Sequence, residues 1–142
     1  MPRLRDLSPA DRTLAAKAAA LQALVVPALR VFGFGKVKSM LATLAPLKKA
    51  GPKGVDVLAR ARETARVTMG VARRSLPRAS CVPRALVLFA LLRRLGIDGR
   101  IRFGAKRAGK GIEAHAWVEV GGEAIGESAA LRAVYPPLEG GR

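Results

Sequence analysis

The stretch SCVPRALVLFALLRRLG, residues 80–96, decides how the fold is read. Pro83 suits the opening turn of a helix, where a missing N–H costs nothing. Every side chain over residues 85–92 is apolar, and charge returns only at Arg93 and Arg94. A helix apolar nearly all round belongs in the middle of a core. Gly96 stands where a C-terminal cap belongs. A central helix over roughly 82–95 is therefore predicted. The only cysteine of the 142-residue chain, Cys81, lies at or beside its N-cap.

On the N-terminal side, Ser8-Pro9-Ala10-Asp11 reads as a helix start, with Ser at the N-cap, Pro at N1 and an acid near N3. An Ala/Leu-rich helical pattern continues to about Phe32, with a break expected at Pro27. GFGKVKSMLATLAPLKKAGPKG, residues 33–54, reads as a short helix between glycine- and proline-rich joints. A further helix is predicted over residues 55–74. Leu58, Ala61, Ala65, Thr68 and Ala72 share one face there, and Arg62, Arg66 and Arg73 lie off it.

Beyond the central helix the period shortens to two. IDGRIRFGAK alternates as a strand, RAGKG turns, and EAHAWVEVGGEAIGE gives a strand, a Gly-Gly turn and a short returning strand. Helices followed by a small antiparallel sheet make an α+β domain. The expected organisation is a basic helical region over 1–54 and a core over 55–142, packed as one unit.

The net charge is +16, and it is unevenly spread. Residues 1–110 hold 24 of the 26 Lys and Arg against five acids, a balance of +19. The remainder carries two Arg and five Glu. Such a body attracts anionic partners to one side. Aromatics make up only 4% of the chain, so it lacks the stacking platforms that single-stranded nucleic acid requires, and no nucleic acid partner is expected. One Cys excludes an intramolecular disulfide and fits a reducing, cytoplasmic setting. One Cys and one His cannot assemble a structural zinc site. No secretory pattern is evident. The uncharged run over residues 18–29 falls short of the roughly 20 residues of a membrane span, so none is expected.

Cys81 can be either of two things. A free thiol is most often a small buried hydrophobe. At a helix start, however, the dipole and free N–H groups favour thiolate chemistry and can stabilise an oxyanion. Position alone does not decide between them. His115, the only histidine, shares one strand face with Trp117 and Glu119, while Ala114, Ala116, Val118 and Val120 take the other. A thiol on a helix start and an imidazole on a later strand form a working pair, provided an acceptor orients the imidazole. Glu127 follows 12 residues on, where an antiparallel return brings it back beside His115. Glu119 is the competitor on the same strand and must lean sideways to reach. Glu127 is preferred. Two glycine-rich pieces, GFGKVK and GAKRAGKG, do not fit the phosphate-loop pattern.

Together these motifs resemble the core of the transglutaminase-like cysteine proteases, and within that group the leader peptidases of lasso peptide biosynthesis. The likeness rests on CVPRAL followed by LRRLGI, then AHAWVE, then a turn and an acid, over about residues 57–127. It implies a papain-like core with Cys81 as nucleophile, His115 as base and Glu127 completing the triad, and no cofactor or metal. The third position is chiefly Asp in that family and is Glu here. The implied reaction cuts a ribosomally made lasso precursor between leader and core and frees the core amine for a separate cyclase. The short, helical N-terminus implies that a separate leader-recognition protein captures the leader. Trp117, Arg84, Arg62 and Arg66 are the expected substrate or partner contacts, and the lasso cyclase is a further candidate partner. Two other readings stay open: transglutaminase-type acyl transfer to an amine, and a basic adaptor without catalysis.

Overall fold

A computed structural model describes residues 4–46, 54–75, 81–128 and 130–138. Helix α1, Pro9–Leu44, opens as the sequence predicts: the Ser8 side chain accepts from the Asp11 N–H at 3.1 Å, and Pro9 begins the first turn. Its break does not fall at Pro27, which sits inside the helix. It falls at Gly33, where φ 80° and ψ 171° turn the chain between two helical segments. The predicted short helix is thus the second segment of α1. The joint over residues 47–53 lies outside the described residues. The carbonyls that end α1 are held from across the core, Arg93 Nε donating to the Ala45 carbonyl at 2.9 Å.

Helix α2, Val55–Ser75, buries Ala61, Ala65, Thr68 and Ala72 as the spacing predicts, and leaves Arg62, Arg66 and Arg73 outside. Helix α3, Cys81–Arg94, is the central element. All eight residues over 85–92 are buried, against α1 and α2 on one side and the sheet on the other. Burying each of its larger side chains is worth about 1.5–3 kcal/mol, so this one helix anchors the other layers. It ends with the Gly96 N–H on the Arg93 carbonyl and the Ile97 N–H on the Leu92 carbonyl, the paired bonds of a Schellman cap. Residues 76–80 of the predicted connector lie outside the described residues.

The sheet is antiparallel in the order β1 (Arg100–Ala108), β2 (Gly111–Val120), β3 (Glu123–Ile125). Gly104 pairs with His115, Arg102 with Trp117, and Val118 with Ile125. Ala116, Val118 and Val120 join Ile101 and Ile125 in the core against α3. The architecture is therefore α+β, as the change of period implied.

The sequence reading placed no element after residue 127. A one-turn helix α4, Leu131–Val134, leads into Tyr135-Pro136-Pro137-Leu138, which lies along the open edge of β1. There the Leu138 N–H donates to the Phe103 carbonyl at 2.8 Å, and the Ala105 N–H to Pro136 at 3.4 Å. Proline suits an edge, because it has no N–H to leave unpaired. This strap blunts an otherwise bare strand and crosses the face that carries His115.

Candidate active site

His115 stands on β2 with Trp117 and Glu119, on the face turned away from α3. Its Nε2 lies 3.1 Å from Glu127 Oε1, and the two side chains are 19% and 22% exposed. The pair is thus shielded from most competing water yet reachable from outside. Glu127 is carried to this place by β3 and the turn that follows it. Of the two carboxylates, Glu127 contacts the imidazole and Glu119 does not.

Glu119 has other partners. It is 6% exposed and accepts from Trp117 Nε1 at 3.1 Å and Arg102 Nε at 3.3 Å, with Arg132 Nε at 3.5 Å. A carboxylate buried this deeply needs such company, since an unpaired one costs several kcal/mol. The same contacts fix the indole. Trp117 is 1% exposed, so the expected substrate contact is instead an interior support: its ring lies nearly parallel to His115, with centroids 6.2 Å apart.

Tyr135 of the strap covers His115 from another side, with ring centroids 5.2 Å apart. Its hydroxyl donates to Glu113, and Lys106 Nζ sits 4.7 Å over its ring. The bond to Glu113 holds the Tyr135 hydroxyl above the usual tyrosine range. Sequence reading missed Tyr135, Glu113 and Lys106 as neighbours of the imidazole. The available signal was a lone tyrosine ahead of Pro-Pro, a pair that forces extended backbone.

Cys81 is the first residue of α3, part-exposed, with its side chain against the core cluster. Among the described residues it makes no hydrogen bond, and His115 Nδ1 makes none either. The structure thus brings His115 and Glu127 together and leaves the thiol outside hydrogen-bond contact with the imidazole. No three His, Cys, Asp or Glu side chains converge on a metal site among the described residues.

The arginines expected to meet a partner are engaged within the fold. Arg62 pairs with Glu123 on β3. Arg66 bridges Glu63 at 2.5 Å and Asp11 of α1 at 3.2 Å, and its hydrogen bond holds the Glu63 carboxyl below the usual range. These pairs link α2 to β3 and to α1 at the surface, where the Arg62 and Arg66 side chains stay 58% and 47% exposed. Arg84, near the start of α3, is half-buried.

No curated protein and no solved structure matches the chain. The family described as the Transglutaminase-like superfamily matches residues 11–139, which takes in α1 as well as the part that carries the motifs. With a helix opening on the lone cysteine, a strand bearing the lone histidine and nearly the whole length matched, the chain belongs to the transglutaminase-like superfamily, whose members include cysteine proteases and acyl-transfer enzymes.

Proposed function

We propose that the protein is a cysteine endopeptidase that removes the leader from a ribosomally made lasso precursor peptide. The observation that carries the reading is the 3.1 Å contact of His115 Nε2 with Glu127, inside a transglutaminase-like domain whose only cysteine opens the central helix. With Nε2 turned to the carboxylate, Nδ1 is the nitrogen left for the thiol.

In the proposed cycle His115 takes the Cys81 proton and the sulfur attacks the scissile carbonyl. Donors at the start of α3 stabilise the oxyanion. The C–N bond breaks, the imidazolium gives its proton to the departing core amine, and the leader is held as a thioester. His115 then deprotonates a water that attacks the thioester. The leader leaves with a free carboxylate and the thiol is restored. Glu127 keeps the imidazole in the tautomer that presents Nδ1 to the sulfur. No cofactor or metal takes part in this scheme. The proposed partners are the leader region of the precursor, a separate leader-recognition protein and the cyclase that receives the freed amine, all in the cytoplasm.

The test is incubation with the precursor encoded beside this gene, with and without the recognition protein, followed by mass spectrometry. A leader ending in a free carboxylate, lost in Cys81→Ala and His115→Ala, is the expected result. An amide or isopeptide product would establish acyl transfer instead, the second chemistry of the superfamily. A folded protein that cleaves in neither mixture would overturn the proposal and return the basic adaptor.

A further inference from the structure

Helix α1 has an apolar side that the fold does not cover. Over residues 9–32, Ala15, Ala18, Gln22 and Val25 face inward and are buried. The opposite side consists of Ala16, Ala20, Ala23, Leu24, Pro27 and Val31, all exposed, with Leu24 at 69% and Val31 at 74%. Past Gly33 the same helix exposes Met40 at 44% and Leu44 at 74%. By length and composition α1 could cross a membrane, with 17% of its most apolar window buried. Crossing would nonetheless strip Ala18, Val25, Val37 and Leu41 out of the core they share with α3. The helix is therefore tied to the domain along one stripe and free along the other.

Charge indicates what covers the free stripe. From Arg12 to Val55 the chain contains no acidic residue and eight Lys or Arg. Lys17 and Arg30 flank the apolar side, Lys36 and Lys38 follow past Gly33, and among the described residues none of the four forms an ion pair. Between Lys17 and Arg30 the outward side offers no hydrogen-bonding side chain of the kind that protein interfaces use for specificity, and the one aromatic near it, Phe32, follows Val31 at 49% exposure. A fluid apolar phase beneath anionic headgroups demands no such polar group and takes an aromatic ring at its boundary. We propose that the segment of α1 before Gly33 docks the protein on an anionic lipid bilayer, lying in the interface with Leu24 and Val31 inserted and Lys17 and Arg30 at the phosphates.

The experiment is vesicle co-sedimentation of the full chain, so its outcome is independent of the peptidase reading. Vesicles of phosphatidylcholine with phosphatidylserine or phosphatidylglycerol should bind the protein at least tenfold more tightly than phosphatidylcholine alone, and added salt should weaken the binding. Leu24→Glu with Val31→Glu should abolish it without changing the circular dichroism spectrum, since both positions are exposed. Lys17→Glu and Arg30→Glu should each lower it roughly fivefold or more. Failure to bind anionic vesicles, or binding indifferent to the Leu24 and Val31 changes, overturns the proposal. So does a wild-type dimer made monomeric by the same double substitution, because a second copy would then be the occupant. Retention on poly-glutamate rather than on vesicles, with the same sensitivity, would assign the stripe to an acidic protein and also overturn it.

Discussion

Replacing Gly104 by alanine should strain the wall of the site. A Cβ at this position would stand 2.6 Å from the Tyr135 carbonyl oxygen and 2.8 and 2.9 Å from Cη2 and Cζ3 of Trp117. Neither neighbour yields easily. The indole is held by its bond to Glu119, and the carbonyl belongs to the strap. Relief to ordinary contact needs the strap to move by nearly an ångström, which weakens the bonds from Leu138 to Phe103 and from Ala105 to Pro136. Overpacking of this kind costs about 1–3 kcal/mol, and removing a glycine from the unfolded chain returns about 0.4–1 kcal/mol. The net loss should be about 1–2 kcal/mol, or roughly 3–8 °C in Tm for a chain of this size. Gly70→Ala on α2 is the internal control: nothing lies within 4 Å of its Cβ, and a helical glycine gives way to alanine with a gain of up to about 1 kcal/mol. Thermal unfolding followed by Trp117, the only tryptophan, reads both variants. Movement of the strap should also shift the indole emission to the red. A Gly104→Ala protein as stable as wild type, with unshifted emission, would refute the close approach and with it the claim that the strap presses on the Trp117–His115 face.

Further outcomes follow from the same residues. On the proposed mechanism Glu127→Gln should lower kcat for precursor cleavage roughly 10- to 100-fold with KM unchanged, because in that scheme the carboxylate orients the base and does not hold substrate. Glu119→Ala should instead act on stability, costing about 2–3 kcal/mol in denaturant unfolding; Arg102 and Arg132 are partly exposed, which keeps the loss below that of a fully buried pair. Gly126→Ala should destabilise the protein, since φ there is +76° and the new Cβ would meet Ala65 Cβ at 3.1 Å. Tyr135, the single tyrosine, should titrate at 295 nm with a midpoint above the ordinary value of about 10, and Glu113→Gln should bring it back. The folded state holds that proton more tightly, so the contribution is complete below pH 10 and is lost as pH rises through the folded midpoint.

The parts legible in the sequence are those written in local patterns. The apolar run over 85–92, opened by Pro83 and closed by Gly96, marked a buried helix, and alternation in AHAWVEV fixed which face carries His115. Ser8-Pro9 and Gly96 marked helix ends because caps are local chemistry. Pro27 misled because the helix carries it without breaking, whereas the break falls at Gly33, the glycine that opens the joint read after Phe32, and Phe34 beyond it meets Phe103 edge-on at 5.0 Å. The strap, the burial of Trp117 and the partners of Glu119 and Arg62 are long-range facts. Nothing within a window of sequence announces that Arg132 and Arg102 converge on one carboxylate, or that Tyr135 returns over a histidine 20 residues before it.

The contact of Glu127 with the imidazole shows how a single backbone residue can place a side chain. Ile125 pairs with Val118 and is fully buried in the core, on the opposite face of the sheet from His115. Had β3 continued extended, Glu127 would fall two residues on, on that same core side, and would bury a charge among the residues facing α2 and α3. Gly126 prevents this. Its left-handed backbone ends the alternation, as only glycine does at little cost, and the next side chain comes out beside the imidazole. Gly126 also lies against Ala65 and Met69 of α2, so the turn is seated on the helical layer and does not hang free. The reach of glutamate then closes the remaining distance to 3.1 Å. A shorter carboxylate on the same turn would need the turn itself to approach β2, which its seat on α2 opposes. The glutamate at this position is therefore matched to the place where α2 holds the turn, and Glu127→Asp should impair cleavage more than its conservative chemistry suggests.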